Sequence, residues 1–177
     1  MCGAVSGRRG HATTSPDVLG GPKLTWTATS ARPPGTSPTM PKLPLPAELS
    51  EFLARPNPAV IGTVTASGDP RTVATWYVWE DGRVLMNLED GRARLDDMRR
   101  DPRASLTVLG DDSWYRHVTL HGRIATLEDD SDFAGIDRLC RHYMGQAYSN
   151  REAGRVNAWL EVESWHAWDQ GKPWKPS

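Results

Sequence analysis

The sequence contains very little cysteine, no long apolar run and no excess of charge of one sign. Only Cys2 and Cys140 are present among 177 residues, which excludes a disulfide framework and makes a reducing cytoplasm the expected compartment. No stretch approaches the roughly 20 consecutive apolar residues of a membrane-spanning helix. The net charge of −1 argues against a general nucleic-acid binder, a class that is markedly basic. These features predict a globular protein whose partners are neither membranes nor nucleic acids.

The sequence also lacks the familiar catalytic motifs. It has no P-loop, no dinucleotide-binding glycine fingerprint and no nucleophile elbow. His117 and His121 are four positions apart on a predicted strand, which separates them by about 13 Å, too far to share a metal ion. His142 and His166 have no evident ligand partner, so we predict no metal site and no catalytic residue. A chain of this kind fits an enzyme whose bound cofactor carries the reaction.

Proline marks the boundary of the folded region. Residues 1–46 hold eight of the fourteen prolines and show no sustained apolar period. We therefore predict a disordered or extended segment over residues 1–45, a single domain over residues 46–170 and a short tail over residues 171–177. Met40 stands just before the domain, which raises the hypothesis that translation begins there.

Apolar periodicity within the domain predicts mostly strands. The strand 71–79 has no polar face, so we expect core on one side of it and a ligand or a subunit on the other. Gly122 is predicted to mark a bulge or a close approach of two backbones, and residues 129–132 to cap the last helix. Six strands connected mainly as hairpins indicate a mainly β fold, an antiparallel barrel with helices at its edges. The predicted strands are 59–66, 71–79, 84–88, 104–108, 115–127 and 156–162, and the helices begin near residues 47, 92 and 133.

A basic turn follows the third strand. Arg92 and Arg94 fall in the first turn of a helix, where free backbone N–H groups and the helix dipole favour an anion rather than a cation. Five arginines stand against three aspartates between positions 92 and 103. Two interpretations stay open: a solvated helix face with internal ion pairs, or a phosphate site built from guanidinium groups.

Tryptophan is abundant, with eight residues in the chain. Large aromatic side chains either fill the core or hold a planar ligand or a partner subunit. The sequence leaves both roles open for each tryptophan.

Several segments, in this order, are similar to pyridoxamine 5′-phosphate oxidase-like split barrels. They are residues 57–64 (NPAVIGTV), 68–76 (GDPRTVATW), 84–87 (VLMN), 91–94 (GRAR), 100–106 (RDPRASL) and 118–123 (VTLHGR). The resemblance covers about residues 46–168 and is greatest to the branch that uses the deazaflavin coenzyme F420. It implies a six-stranded Greek-key split barrel of the FMN-binding type. It further implies a homodimer with one cofactor in each of two grooves at the subunit interface.

The resemblance also implies the cofactor contacts. Arg94 matches the basic phosphate ligand of the family, which is usually lysine, and Arg92 lies beside it. Arginine at this position keeps the charge and adds donor directions. The strand residues implied to line the ring system are Val73, Ala74, Thr75 and Trp76; Asn87 and Leu88 lead into the phosphate turn, and His117 matches a polar ring contact.

Three functional hypotheses follow from the resemblance. The first is an oxidoreductase that transfers hydride from reduced F420 to an unsaturated small molecule, with Trp76, Trp114 and Tyr115 shaping the substrate pocket. The anionic glutamate tail of F420 would favour contacts with Arg99, Arg100 and Arg103. The second is an FMN-dependent oxidase of a pyridoxamine-like amine, and the third is a protein that binds F420 or flavin without turnover.

Overall fold

The computed structural model describes residues 43–169 and 171–173, which form one antiparallel sheet and three helices. The predictions for residues 1–42, including a start at Met40, and for residues 174–177 lie outside the described residues. The elements are α1 (Ala47–Leu53), β1 (Ala59–Val64), β2 (Pro70–Thr75), β3 (Val78–Glu80), β4 (Arg83–Glu89), α2 (Ala93–Arg100), β5 (Arg103–Leu109), β6 (His117–Asp129), α3 (Ala134–Met144), β7 (Arg155–Asp169) and β8 (Lys172–Pro173).

The sheet has eight strands and is not closed, so the predicted count of six strands was wrong. The strand order is β2-β1-β5-β6-β7-β4-β3, and β8 pairs with β7. The strands β2 and β3 are therefore the two ends of this path, although only two residues separate them in the sequence. The predicted mainly β, antiparallel character with flanking helices is confirmed.

The break between β2 and β3 divides the predicted strand 71–79. Tyr77 is fully buried at this point, and its hydroxyl donates to the carbonyl oxygen of Arg55 at 3.1 Å. Its backbone N–H donates to the hydroxyl of Tyr143 at 3.4 Å instead of joining a strand ladder. The period-two pattern could not indicate this break, because both faces of the segment are apolar.

The strands β6 and β7 are long and irregularly paired. The register shifts between His121 and Gly122, which confirms the predicted bulge. A Cβ atom on Gly122 would lie 1.8 Å from the carbonyl oxygen of Glu161, so the two backbones require glycine there. The strand predicted over residues 156–162 extends to Asp169, and the supposed aromatic tail residues Trp165 and Trp168 belong to it.

A buried carboxylate fixes helix α2 against the sheet. Asp97 accepts a hydrogen bond from the Thr63 hydroxyl at 3.2 Å. It also forms ion pairs with Arg71 at 2.9 Å and Arg100 at 3.0 Å. The start of α2, with Arg92 as its N-cap, is thereby held beside β1 and β2.

A second buried carboxylate begins helix α3, as the predicted cap implied. The two carboxylate oxygens of Asp130 accept the backbone N–H groups of Gly135 at 2.8 Å and Ile136 at 3.0 Å. These N–H groups have no partner within the helix, so the carboxylate satisfies them. Leu139 and Cys140 are buried, whereas Met144, the last residue of the helix, is exposed.

The core is formed by side chains of the sheet and of helices α1 and α2. Its fully buried side chains come from alternate positions of the strands, and the predicted inward residues of β6 are confirmed. The strand residues among them include Ile61, Val84, Met86, Leu88, Leu106, Val118, Leu120 and Leu160, and Leu49 and Leu53 of α1 are fully buried as well. None of the helices described has the length and apolar character needed to cross a bilayer.

Candidate functional site

An open cleft of about 620 Å³ lies between the β2 edge, the end of β4 and helix α3. A basic recess of about 460 Å³ adjoins it, and the two share Ala74, Glu89, Arg92, Arg94 and Arg155 in their walls. The further lining residues of the cleft are Pro56, Pro58, Ala59, Thr75, Trp76, Asn87, Ile136, Leu139, Tyr143 and Tyr148. The cleft is thus apolar and aromatic at one end and cationic at the other.

The aromatic end is built around a stacked pair of rings. Trp76 lies parallel to Tyr143, with centroids 5.3 Å apart and planes inclined by 10°. The hydroxyl of Tyr143 donates to the carbonyl oxygen of Asn57 at 2.9 Å, which fixes the ring. Burial raises the pKa of Tyr143 to about 12, so this hydroxyl keeps its proton at neutral pH. The pair forms a rigid apolar wall against which a planar group can lie.

Arg94 is the least satisfied charge in the cleft. Its Nε is buried and has no hydrogen-bond partner, and its Nη1 donates only to the carbonyl oxygen of Ala74 at a long 3.4 Å. Burial lowers the pKa of Arg94, and the positive charges of Arg92 and Arg155 lower it further. Arginine nevertheless remains protonated in proteins, so the cleft holds a cation in need of a counter-ion.

Arg92 already has an acidic partner. Its guanidinium bonds the carboxylate of Glu89 at 2.7 Å, and both side chains are partly exposed. Among the described residues, Glu89 is the only acid that lines either cavity, and Arg92 and Glu89 neutralise each other. Arg94 and Arg155 are left with an uncompensated charge of about two, which favours a dianionic ligand group.

Arg155 was not predicted from the sequence. Its Nε donates to the side-chain oxygen of Asn87 at 2.7 Å, and its guanidinium lies over the ring of Tyr148 at 5.1 Å. The β4–β7 ladder places Arg155 directly opposite Glu89, which is how a residue far along the chain reaches the basic turn. No local sequence signal marks it, because its position depends on that register.

The remaining arginines of the basic segment are already paired with acids. Arg99 bonds Asp96 at 3.2 Å, and Arg100 bonds Asp97 at 3.0 Å and the carbonyl oxygen of Val64 at 2.8 Å. Arg103 forms several hydrogen bonds to Asp101, and they lower the pKa of that carboxyl to about 2. The solvated, ion-paired interpretation therefore holds for these three residues, and the expected preference for an anionic tail loses its structural basis.

The predicted contacts divide into three groups. Ala74, Thr75, Trp76, Asn87, Arg92 and Arg94 line the main cleft, and Val73 lines the adjoining basic recess. Leu88 is fully buried in the core and lines neither cavity. His117, Trp114 and Tyr115 lie together elsewhere.

That second location is an apolar hollow of about 520 Å³ at one end of β5, β6 and β7. Trp114 and Tyr115 are 73% and 62% exposed there, with their rings 6.2 Å apart. A ring nitrogen of His117 lies 3.1 Å from the carbonyl oxygen of Trp114. Thr107, Leu109 and Trp168 complete the lining.

Within the described residues, no group of three or more His, Cys, Asp or Glu is arranged to hold a metal ion.

The match to a family model is decisive for classification. Residues 45–169 match the model described as pyridoxamine 5′-phosphate oxidase. The chain belongs to this family. No curated protein matches the chain.

Solved structures share the fold of this family member at low sequence identity. An F420 reductase is 21% identical with a TM-score of 0.62, and the match covers 70% of this chain and 98% of the reductase. A conserved hypothetical protein from Mycobacterium tuberculosis is 20% identical with a TM-score of 0.59, covering 72% and 86% of the two chains. A heme binding protein from Mycobacterium smegmatis is 22% identical with a TM-score of 0.54, covering 74% and 57%. Because the named ligands differ, these likenesses establish the fold and do not select a ligand.

The cleft fits the phosphate of a flavin-type cofactor. The evidence is the buried, unpartnered Nε of Arg94 and the absence of any ion pair on Arg94 or Arg155 among the described residues. Guanidinium groups bind phosphate oxygens in a planar, bidentate geometry. The adjoining aromatic wall of Trp76 and Tyr143 suits the planar ring of such a cofactor.

Proposed function

We propose that the chain is an F420-dependent oxidoreductase that transfers hydride from the reduced deazaflavin to an unsaturated small-molecule acceptor. The observation that carries this proposal is the union of two uncompensated guanidinium groups and an aromatic wall in one cleft of a pyridoxamine 5′-phosphate oxidase family chain. The resemblance of several segments to the F420 branch supports the choice of coenzyme. When bound, the reduced coenzyme would supply the hydride.

The protein would contribute binding and orientation. Arg94 would hold the phosphate, and the backbone of β2 at Ala74 and Thr75 would run along the ring system beside Trp76. Fixing donor and acceptor carbons in near contact can lower a barrier by several kcal/mol, on the order of 7–11 in favourable cases. The hydroxyl of Tyr143 is committed to Asn57, so we assign it a structural role and not that of a proton donor.

A homodimer is part of the proposal. The edge strand β2 is exposed along most of its length, including the apolar Val73, and the hollow around Trp114 and Tyr115 exposes two large aromatic rings. Exposed edge strands and aromatic patches are typical of surfaces that another chain covers. We propose that this hollow, with His117, covers the cleft of the second subunit. That arrangement would place His117, Trp114 and Tyr115 of one subunit against the cofactor ring and the substrate of the other, as the predicted contacts require.

The proposed compartment is the cytoplasm, because the chain has only two cysteines.

A second candidate is an FMN-dependent enzyme acting on a pyridoxamine-like amine. The specific observation that favours it is the ion pairing of Arg99, Arg100 and Arg103, because these residues then provide no separate site for the anionic tail of F420.

Titration of the pure protein with F420 and with FMN, followed by tryptophan quenching, tests the proposal. The reduced complex is then offered a panel of unsaturated acceptors, and oxidation of the cofactor is recorded. Tighter binding of F420 than of FMN, with acceptor-dependent oxidation, is the expected result. Preference for FMN would support the second candidate. Tight F420 binding with no oxidation by any acceptor would instead support a binding protein without turnover.

Sedimentation velocity tests the dimer. We expect a dimer for the native chain and a shift toward monomer for Trp114→Ala, because interface tryptophans contribute a large share of association energy. A monomeric native chain would overturn the proposed covering of the cleft.

A further inference from the structure

Arg155 faces the same cleft as Arg94 and is also without an acidic partner among the described residues. We infer that Arg155 is a second ligand for the phosphate of the bound coenzyme and that Asn87 is the positioning residue that aims it. The identity of the coenzyme rests on the proposed function, whereas the anion site itself does not.

The amide of Asn87 is oriented by its hydrogen bonds. Its side-chain nitrogen donates to Asp130 at 2.9 Å and to the side-chain oxygen of Asn157 at 2.8 Å, which uses both amide hydrogens. The amide oxygen therefore points at Arg155 and accepts its Nε–H at 2.7 Å. A flipped amide would set its oxygen against the carboxylate of Asp130, so only one orientation is stable.

Asp130 is the fixed point of this network. Besides Asn87, its carboxylate accepts the side-chain N–H of Asn157 at 3.2 Å and the two backbone N–H groups at the start of α3. These donors satisfy a buried charge that has no cation partner in the described residues. The backbone of Asp130 also donates to the carbonyl oxygen of Arg155 at 2.8 Å. Asp130 therefore holds the main chain of Arg155 directly and its side chain through Asn87.

The free side of the guanidinium is turned to the ligand space. Nε is used by Asn87, and one face of the group lies over Tyr148, so the two terminal nitrogens remain for an anion. These nitrogens have no hydrogen-bond partner in the described part of the chain. Orienting an arginine in advance reduces the entropy lost when an anion binds, which increases affinity.

The charge balance selects phosphate over a single carboxylate. Arg92 is neutralised by Glu89, which leaves Arg94 and Arg155 as two positive charges at the shared wall of the cleft and the recess. A phosphate monoester carries up to two negative charges and several acceptor oxygens, so it can satisfy both guanidinium groups at once. The cleft should therefore discriminate strongly between a phosphorylated ring and the same ring without phosphate.

Matched ligand pairs test this inference. FMN is compared with riboflavin, and F420 with its deazaflavin ring compound that lacks the phosphate side chain, by equilibrium titration. Arg155→Ala should weaken binding of the phosphorylated member about 10- to 100-fold, the range expected for a lost charge-assisted hydrogen bond. Binding of the member without phosphate should stay unchanged. Arg123→Ala is the matched control, because it removes an equal charge from an exposed position outside both cavities.

The role of Asn87 has its own signature. Asn87→Ala should weaken only the phosphorylated ligand, and the double variant with Arg155→Ala should bind no more weakly than Arg155→Ala alone. A merely structural defect would weaken both ligands of a pair and would add to the effect of Arg155→Ala. Should Asn87→Ala fail to fold, Arg155→Lys provides the test, because lysine keeps the charge without the Nε–H that Asn87 orients. Arg155→Lys should then show an intermediate loss.

Inorganic phosphate separates this inference from the proposed function. Phosphate should raise the unfolding temperature of the native chain and of Arg123→Ala, and should raise that of Arg155→Ala much less. This result would support the anion site even if neither coenzyme bound. If the native chain binds a phosphorylated coenzyme and Arg155→Ala binds it equally well, the inference is overturned while the proposed function stands. Equal phosphate protection of the native chain and Arg155→Ala would also overturn it.

Discussion

The rings of Trp76 and Tyr143 lie parallel at 5.3 Å, so a residue that joins two edge strands is stacked on the helix that faces them. Tyr143 also donates to the carbonyl oxygen of Asn57, which ties the same helix to the segment before β1. The aromatic wall of the cleft is therefore a tertiary junction as well as a ligand surface.

Tyr143 variants should separate the stack from the hydrogen bond. Tyr143→Phe keeps the ring and should lower the free energy of unfolding by about 1 kcal/mol, the value of a typical hydrogen bond. Tyr143→Ala loses both and should cost about 2–3 kcal/mol. Urea unfolding measures these differences. Met144→Ala is the control, since this neighbouring side chain is exposed and should change stability by less than about 0.5 kcal/mol. Equal stability of the Phe and Ala variants would show that the stack contributes nothing.

Alkaline pH should loosen the same junction. Burial raises the pKa of Tyr143 from 10.0 to about 12, and burial together with Tyr143 raises the pKa of Tyr77 as well. Because the folded-state pKa lies above the unfolded one, this stability is fully present below about pH 10 and is lost as the pH rises through about 12. The urea midpoint should therefore fall across this window. The fall should be shallower in Tyr143→Phe; identical pH profiles for the two chains would contradict the assignment.

Arg94 should lower the stability of the free protein and strengthen the binding of the coenzyme. Its pKa is lowered by burial and by Arg92 and Arg155, so the folded state holds this charge at a cost, and Arg94→Met should raise the unfolding temperature of the free protein. Arg94→Ala should weaken coenzyme binding by about 1–3 kcal/mol. Arg99→Ala removes the same charge from the ion-paired face of the same helix and should leave binding unchanged. If Arg99→Ala lost as much affinity as Arg94→Ala, the effect of Arg94 would be explained by the change in net charge and not by a direct contact with the coenzyme.

Gly122 should tolerate no side chain. A Cβ atom would lie 1.8 Å from the carbonyl oxygen of Glu161, so Gly122→Ala must displace the β7 backbone and should cost about 2 kcal/mol. Gly154→Ala is the control, because its Cβ would only touch that of Asp90 at an ordinary 3.5 Å. Thermal unfolding compares the two. A neutral Gly122→Ala would mean that the bulge can move freely.

Local patterns in the sequence predicted most elements but not their ends. Apolar and β-branched runs located β1, β4 and β5, and alternation located β6. The acidic cluster over residues 129–132 includes Asp130, whose carboxylate caps α3. The break at Tyr77 depends on a hydrogen bond to Tyr143, 66 positions away, and so left no local trace. The extension of β7 to Asp169 was hidden because the register shifts opposite β6 and blurs the alternation.

The candidate site was predictable only in part, because some of its residues belong to a local sequence pattern and others are brought in by long-range contacts. The basic turn with Arg92 and Arg94 is a local feature of the chain and can be read directly. Which arginines remain free of acids cannot be read, because Arg99 and Arg100 find partners within their own helix while Arg94 does not. Arg155 and Tyr143 reach the cleft only through the sheet register and the packing of α3.

The two outermost strands of the sheet are joined by only Trp76 and Tyr77. Because this connection is so short, movement of either β2 or β3 should displace the other strand and tilt the indole ring of Trp76. A ligand packed against the ring of Trp76 should therefore slow amide hydrogen exchange in β2 and β3 together, although these strands lie at opposite ends of the strand order.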